Sequence, residues 1–552
     1  MMVTVAELIV RYLQRMGIDT VFGMPGAHIL PVYDRLYDAP LRSILVKHEQ
    51  GAAFMACGYA RVAGRIAACI TTAGPGATNL VTGIANAYAD KLPVLVITGE
   101  ASTTVFGRGG LQESSGEGGA IDQSDLFRGI TRYHKLIERS DYLPQVLKRA
   151  SCILLSPAPG PVLLSFPFNV QQELVDDAFL EAIPNRPLRD RLAPQSDEIE
   201  RLQSLITAAQ HPLIIAGHGA IASAAGEEVA ALAELLAIPV ATSLKAKGVI
   251  SESSPLALGT LGVTSDGRAL SYLKEHADLV LFLGASYNER TSYLWKESLL
   301  AGRTLVQVDS DSEQLGKVFR ADLAIHADIR QVLQDLLFRL QVAGVRATAQ
   351  QRQQAVAAAA VSQRGPVAHP GFALIRRFFT QLAQHYPEGL ALFDDNMIFA
   401  QNFFTVSSSN RYYPNAGVSS LGHAIPAAIG ARFSHAGPTL ALLGDGGFQM
   451  CCMELMTAVN YAIPLTVILF NNGTMGLIRK NQQQRYQQRL INCDFINPDY
   501  RYLARSFGIG YHKVVCEADI DELFGSSDFN VGIRLVEMVI DRDLFPDYQS
   551  GR

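Results

Sequence analysis

The stretch from Leu440 to Ile478, LALLGDGGFQMCCMELMTAVNYAIPLTVILFNNGTMGLI, most constrains how this chain can fold. An apolar run, Thr439 to Leu443, is long enough for a buried strand, and Gly444-Asp445-Gly446 breaks it. Apolar residues then recur at helical spacing (Phe448, Met450, Cys452, Leu455, Ala458, Val459). A second apolar run, Pro464 to Phe470, ends in Asn471-Asn472-Gly473. Strand, turn, helix, strand, turn is the crossover unit of a parallel sheet, because parallel neighbours need a long connection. Open parallel sheets bind ligands at the carboxyl ends of their strands, and both polar turns fall there.

The residues at those two ends point to a hard cation. Asp445 offers a carboxylate, Asn472 a side-chain carbonyl, and the turn through Thr474 a backbone carbonyl. Magnesium takes about six oxygens and completes its shell with water and ligand phosphates, so three protein oxygens plus a diphosphate meet its demand. Gly444, Gly446 and Gly447 allow close backbone approach, and the helix N-terminus behind them favours an anion.

The same alternation of strand and helix fills the rest of the chain. In the first third, the strand before Met24-Pro25-Gly26-Ala27-His28 breaks into a glycine turn, and Ile44 to Val46 ends in Lys47-His48-Glu49. A helix rich in small residues follows, then strand AACITT, loop Ala73-Gly74-Pro75-Gly76-Ala77-Thr78-Asn79, a helix, and strand PVLVITG. Asn79 is placed to cap that helix. By itself Glu49 is a carboxylate at a helix start, where it complements the dipole. The polar stretch Pro184 to Ser196 marks a domain boundary. A Rossmann-like middle follows, with a partial dinucleotide fingerprint at Gly217-x-Gly219-x-x-Ala222. The Ala/Gln/Arg-rich, helix-friendly Gln341 to Gln363 and the proline-containing Gly365 to Gly371 form a linker, and LALFDDN then ends another strand at Asp394-Asp395-Asn396. The expectation is an α/β chain of three domains, 1–182, 190–345 and 366–552, each a parallel sheet flanked by helices.

Composition excludes several alternatives. The 552 residues carry a net charge of −5, so nothing tracks nucleic acid. The 7 cysteines lie mostly in apolar runs without a C-x-x-C pair, the pattern of reduced thiols in the cytoplasm. MMVTVAELIVRYLQRMG mixes acid and base in an amphipathic pattern and is a first helix, not a signal peptide. No apolar run reaches the roughly 18 residues of a membrane span.

Gly444-Asp445-Gly446 followed by Asn471-Asn472, together with Lys47-His48-Glu49, Gly74-Pro75-Gly76-Ala77-Thr78-Asn79 and Leu421-Gly422-x-x-x-Pro426-Ala427-Ala428-Ile429-Gly430, resembles the thiamine-diphosphate-dependent family of acetolactate synthase, pyruvate oxidase, 2-oxo acid decarboxylases and benzaldehyde lyase. The resemblance covers nearly the whole chain. It implies thiamine diphosphate and Mg2+ bound between the first and last thirds of two subunits, hence a homodimer or homotetramer. Asp445, Asn472 and the Thr474 carbonyl would hold the metal. Pro25, Gly26, Gly74, Asn79, Asn396, Leu421, Gly422, Gly444, Gly446, Gly447, Met475 and Gly476 would line the cofactor. Glu49 would bond N1′ of its aminopyrimidine and favour the tautomer that removes the thiazolium C2 proton. Leu421 would prop the cofactor into a V shape.

Substrate signals are mixed. Gly26-Ala27-His28-Ile29 and Ala120-Ile121-Asp122-Gln123 resemble benzaldehyde lyase, Leu111-Gln112-Glu113 resembles acetolactate synthases, and the Lys47 helix resembles guanidino-oxo-acid decarboxylases. His28 would face substrate, either Gln112 or Gln123 would line the pocket, and His423 would add a second imidazole. Acetolactate synthases carry a tryptophan near Asn481 that selects the acceptor, whereas the one tryptophan here is Trp295. Relatives use the middle domain variously, some for FAD. The reaction expected is decarboxylation of a 2-oxo acid with carboligation to a second carbonyl compound. The alternatives are aldehyde release by a plain decarboxylase and a benzaldehyde-lyase-like carboligation.

Overall fold

In the computed structural model, which describes residues 1–187, 191–289, 291–360 and 365–548, three six-stranded parallel sheets follow one another along the chain. The first runs in the order Arg42–Leu45, Thr20–Met24, Ala67–Thr71, Val94–Glu100, Val162–Pro167, Tyr133–Leu136. The last runs Arg411–Pro414, Ala391–Asp394, Thr439–Gly444, Leu465–Asn471, Ile533–Val539, Gly510–Val514. Numbered within each domain, both orders are 2-1-3-4-6-5, so these two domains share one winding. The middle sheet (Ala257–Thr260, Val240–Thr242, Pro212–Ala216, Leu279–Leu283, Thr304–Asp309, Leu323–His326) has the order 3-2-1-4-5-6 of doubly wound dinucleotide folds.

The central strands are buried along nearly their whole length, as expected when helices cover both faces of a parallel sheet. Leu440 pairs with Thr466 and Gly444 with Phe470, which brings the Asp445 and Asn471 turns side by side. The helix after Gly444 begins at Asp445 itself, runs to Cys451, tightens through Cys452–Glu454 and resumes over Leu455–Asn460. In 2-1-3-4-6-5 winding, the connections diverge between strands 1 and 3. That switch point lies at Met24 and Thr71 in the first domain, and at Asp394 and Gly444 in the last.

The first and last domains meet through helices Glu49–Ala63 and Ala424–Arg432. A Cβ on Gly58 would fall 1.9 Å from the Ala427 carbonyl, and one on Gly430 would fall 2.0 Å from the Met55 carbonyl. Small residues therefore bring two backbones into contact. The middle domain is fastened by charge: Asp90, 1% exposed at its side chain, pairs with Arg61 of its own domain and Lys245 of the middle one, while Lys91 pairs with Asp311. Burial alone would raise the Asp90 pKa, but the two cations outweigh it and hold it well below normal.

Two expectations are refined. The Ala/Gln-rich stretch is no bare linker: Ala349–Ala359 is a helix, capped by Thr348 with Gln351, and its Ala359 is buried in the middle domain's core. The glycines of the partial fingerprint serve packing, since a Cβ on Gly217 would lie 2.0 Å from the Gly284 carbonyl and one on Gly219 would lie 2.7 Å from the Gly284 Cα. Residues 188–190 of the first boundary and 361–363 of the second lie outside the described residues. No described helix is long and apolar enough to cross a membrane.

Candidate active site

At the switch point of the last domain, Asp445 is the first residue of its helix and is 1% exposed. Its Oδ2 accepts from the Asn472 and Gly473 N–H groups (3.1 and 2.6 Å) and from the Asn497 side-chain amide (2.8 Å), while its Oδ1 accepts from Gly446 N–H. Burial pushes its pKa up, and those donors oppose the rise. Among the described residues no basic side chain pairs with it. Asn472 Oδ1 accepts from Thr474 N–H at 3.2 Å. The Thr474 hydroxyl is committed to the Cys493 carbonyl at 2.8 Å, which leaves the Thr474 main-chain carbonyl as its remaining oxygen.

Divalent magnesium fits this donor set: a buried carboxylate without a counter-charge stands beside an amide oxygen. No cluster of three His, Cys, Asp or Glu side chains occurs among the described residues, so a cation here would depend on neutral oxygens and on phosphates. The glycines here let neighbouring side chains close in on the turn. Met475 lies over Gly446, where a Cβ would be 2.4 Å from its sulfur, and a Cβ on Gly476 would be 2.9 Å from the Asn472 amide. Asn396, next to this edge, is left-handed (φ 63°) and its side-chain oxygen is buried without a partner.

Leu421 is half-buried between Ser419 (φ 60°) and Gly422 (φ 81°). The Asp395 carboxylate, 2% exposed, accepts from the N–H groups of Gly422, His423 and Ala424. His423 is sealed in the crossing of the two domain-joining helices, edge-on to Phe54 at 5.2 Å, with neither ring nitrogen hydrogen-bonded. Burial lowers its pKa to about 3, so the ring is neutral.

The first domain gathers a second group at its own switch point. Glu49 opens its helix and is 8% exposed, with Oε2 accepting from the Asn79 amide at 2.9 Å. Asn79 therefore anchors Glu49 and does not cap the next helix, which begins at Val81 without a side-chain cap. Thr72 Oγ1 accepts from His28 N–H and donates to Gln112 Oε1, which joins those two residues. His28 Nε2 is buried without a partner. Gly26 presses on Thr72, and Gly74 (φ 58°) lies under Gln112, itself left-handed at φ 54°. Pro25 is exposed beside them. Gln123, the first residue of the helix Gln123–Arg128, is 2% exposed, and its amide donates to the Thr98 and Ser165 hydroxyls on two sheet strands.

The two groups do not meet within one chain. Gly58 lies opposite Ala427 and Gly430 opposite Met55, so the helices cross antiparallel. Glu49 thus lies beyond the Gly430 end, while Leu421 precedes the other. The Lys47 and His48 N–H groups instead donate to Glu454, past the far end of the Asp445 helix. At the Ala416–Ser419 loop, between the last and middle domains, lies a cavity of about 630 Å³ whose lining includes Thr264, Glu289, Ser419, Leu477, Asn481 and Arg485.

Sequence reasoning misses Thr72, Asp395 as an anchor, and Asn497. Their local signals, a residue before Ala-Gly-Pro-Gly, a strand-final Asp and an Asn-Pro turn, are too common to single out.

Residues 3–123 match the model of the thiamine pyrophosphate enzyme N-terminal TPP binding domain, 199–336 the central domain, and 395–527 the C-terminal TPP binding domain. A probable acetolactate synthase large subunit of Methanocaldococcus jannaschii is 32% identical, over 97% of this chain and 92% of that protein. The acetolactate synthase isozyme 2 large subunit of Escherichia coli is 31% identical, over 94% of this chain and 93% of that protein. A probable 2-ketoarginine decarboxylase, AruI, of Pseudomonas aeruginosa is 34% identical, over 97% of this chain and 94% of that protein.

Proposed function

The chain belongs to the thiamine pyrophosphate enzyme family, and from that premise we propose that it decarboxylates a 2-oxo acid and joins the remaining fragment to a second carbonyl compound. Bound thiamine diphosphate supplies the electron sink for carbon–carbon cleavage. Asp445, Asn472 Oδ1 and the Thr474 carbonyl would hold Mg2+ beside the cofactor's phosphates. Gly444, Gly446, Gly447, Met475, Gly476 and Asn396 surround it, and Leu421 with Gly422 shapes it. Glu49, anchored by Asn79, holds a proton at the aminopyrimidine N1′. His28 and Gln112, joined by Thr72 beside Pro25, Gly26 and Gly74, orient the substrate carbonyl. We assign Gln123 and His423 to support, because one is bonded to two sheet strands and the other is neutral and sealed.

The observation that carries this reading is the buried Asp445 carboxylate without a basic partner, beside Asn472 at a switch point. The antiparallel helix crossing supports a homodimer or larger assembly, since a second copy is what can bring Glu49 to Leu421 and Asp445. The partial fingerprint does not support a flavin, because its glycines are explained by packing against Gly284.

A second reading, aldehyde release by a plain decarboxylase acting on a larger, polar 2-oxo acid, draws on the cavity lined by Ser419 and Asn481. Its lining includes Glu289, Arg485 and Asn481, and acetolactate synthases carry a tryptophan near that last position. Mass spectrometry of products from pyruvate and a panel of larger 2-oxo acids, with thiamine diphosphate and Mg2+, separates the two. Coupled acyloin establishes the first, aldehyde alone the second, and no turnover on any 2-oxo acid overturns both.

A further inference from the structure

We propose that Asp395 is a positioning residue: through three consecutive backbone N–H groups it sets where Leu421 presents its side chain. The proposal rests on the reading of Leu421 as the residue that shapes the cofactor.

The helix Ala424–Arg432 has no side-chain cap of its own. The first N–H groups of a helix lack partners within it. Asp395, arriving from the neighbouring strand end, supplies what a local cap would: Oδ2 accepts from Gly422 (2.7 Å) and His423 (3.2 Å), and Oδ1 from Ala424 (3.0 Å). A carboxylate at a helix N-terminus also gains from the helix dipole. The loop it holds does not hold itself. Ser419 and Gly422 both have positive φ, and only glycine takes that region without strain. Leu421 lies between them.

The Asp445 helix packs against both Asp395 and Leu421. A Cβ on Gly447 would lie 3.4 Å from Asp395 Oδ2 and 3.8 Å from Leu421 Cβ. The Asp395 carboxylate, the Leu421 side-chain root and the Asp445 helix thus meet at one point. Burial and the neighbouring Asp394 raise the Asp395 pKa, and the three N–H groups oppose this. His423 Nδ1 is 3.8 Å from Oδ1, but that ring is neutral, so the carboxylate depends on N–H donors alone.

Asp395→Asn keeps the shape but leaves one acceptor oxygen for three N–H groups, and Asp395→Glu displaces both oxygens by a methylene. In the cofactor-free protein, amide hydrogen exchange at residues 422–424 of Asp395→Asn should rise at least tenfold, with protection of Leu465–Asn471 unchanged. With cofactor and Mg2+ saturating, kcat should fall at least tenfold while cofactor Kd stays within about threefold. A purely stabilising role would lower Tm and leave kcat of the loaded enzyme intact, which would overturn the proposal, as would unchanged exchange at 422–424. Asp395→Glu is read by the same two measurements if Asp395→Asn does not fold. Leu421→Ala is measured in parallel. Wild-type turnover there overturns the reading of Leu421 and this proposal with it. Slow turnover in Leu421→Ala beside wild-type turnover in Asp395→Asn overturns the proposal alone.

Discussion

Asn79 donates its side-chain amide to Glu49 Oε2 at 2.9 Å, joining the glycine loop after one strand to the first residue of the helix after another. The bond fixes the Glu49 carboxylate at the carboxyl edge of the first sheet and leaves its Oε1 free of that partner. A carboxylate held in this way can keep a proton at one atom of a ligand without reorganising, which is what a proton relay requires.

Glu49→Gln should therefore lower kcat by about 10²–10⁴ while the protein folds and binds thiamine diphosphate normally. Steady-state kinetics beside circular dichroism reads this out. Full activity in the variant would refute the relay.

Asp445→Ala removes the one carboxylate of the proposed metal set. Cofactor affinity, measured by titration calorimetry with Mg2+, should drop by about a hundredfold or more. The rise in Tm that cofactor and Mg2+ give the wild type should shrink accordingly. Unchanged binding would mean that the metal lies elsewhere.

Gly58→Ala places a methyl 1.9 Å from the Ala427 carbonyl, in the crossing that joins the first and last domains. Overpacking costs about 1–3 kcal/mol, more than the roughly 1 kcal/mol that alanine gains over glycine in a helix. Urea denaturation should show a lower midpoint. A midpoint at or above wild type would mean the helices separate without cost.

Glu100 is fully buried, and burial raises its pKa to about 7 from 4.5. A folded-state pKa above the unfolded one means that the native state binds the extra proton. Its contribution is thus complete below about pH 4.5 and is lost as pH rises through 7. Glu100→Gln mimics the protonated form. It should match wild type near pH 4.5 and exceed its stability near pH 8 by on the order of 1–3 kcal/mol. Equal stabilities across that range would show that Glu100 ionises freely in the fold.

Asn481→Trp should narrow the cavity that Asn481 lines with Ser419. If that cavity takes the substrate side chain, kcat/KM for larger 2-oxo acids should fall at least about tenfold relative to pyruvate, since a misfit side chain costs about 1–3 kcal/mol. An unchanged ratio would place the side chain elsewhere.

What was legible in the sequence is what depends on neighbours along the chain. Apolar runs ending in glycine turns identified the parallel sheets, because strand burial and helical spacing are written within a dozen residues. The Gly444-Asp445-Gly446 and Asn471-Asn472 pair could be assigned to adjacent strand ends for the same reason, and the structure pairs them in register. What needed the tertiary structure is everything joining distant segments. Asn79 looked like a helix cap until folding brought Glu49 beside it. His423 looked like a candidate at the site until the Phe54 helix closed over it. Asp395 and Asn497 look ordinary in sequence, and only the packed strand ends show them holding Leu421's loop and Asp445. Local patterns carry period and turn chemistry, whereas a hydrogen-bond partner far along the chain leaves no local mark. Its identity is decided only when the sheets and helices pack.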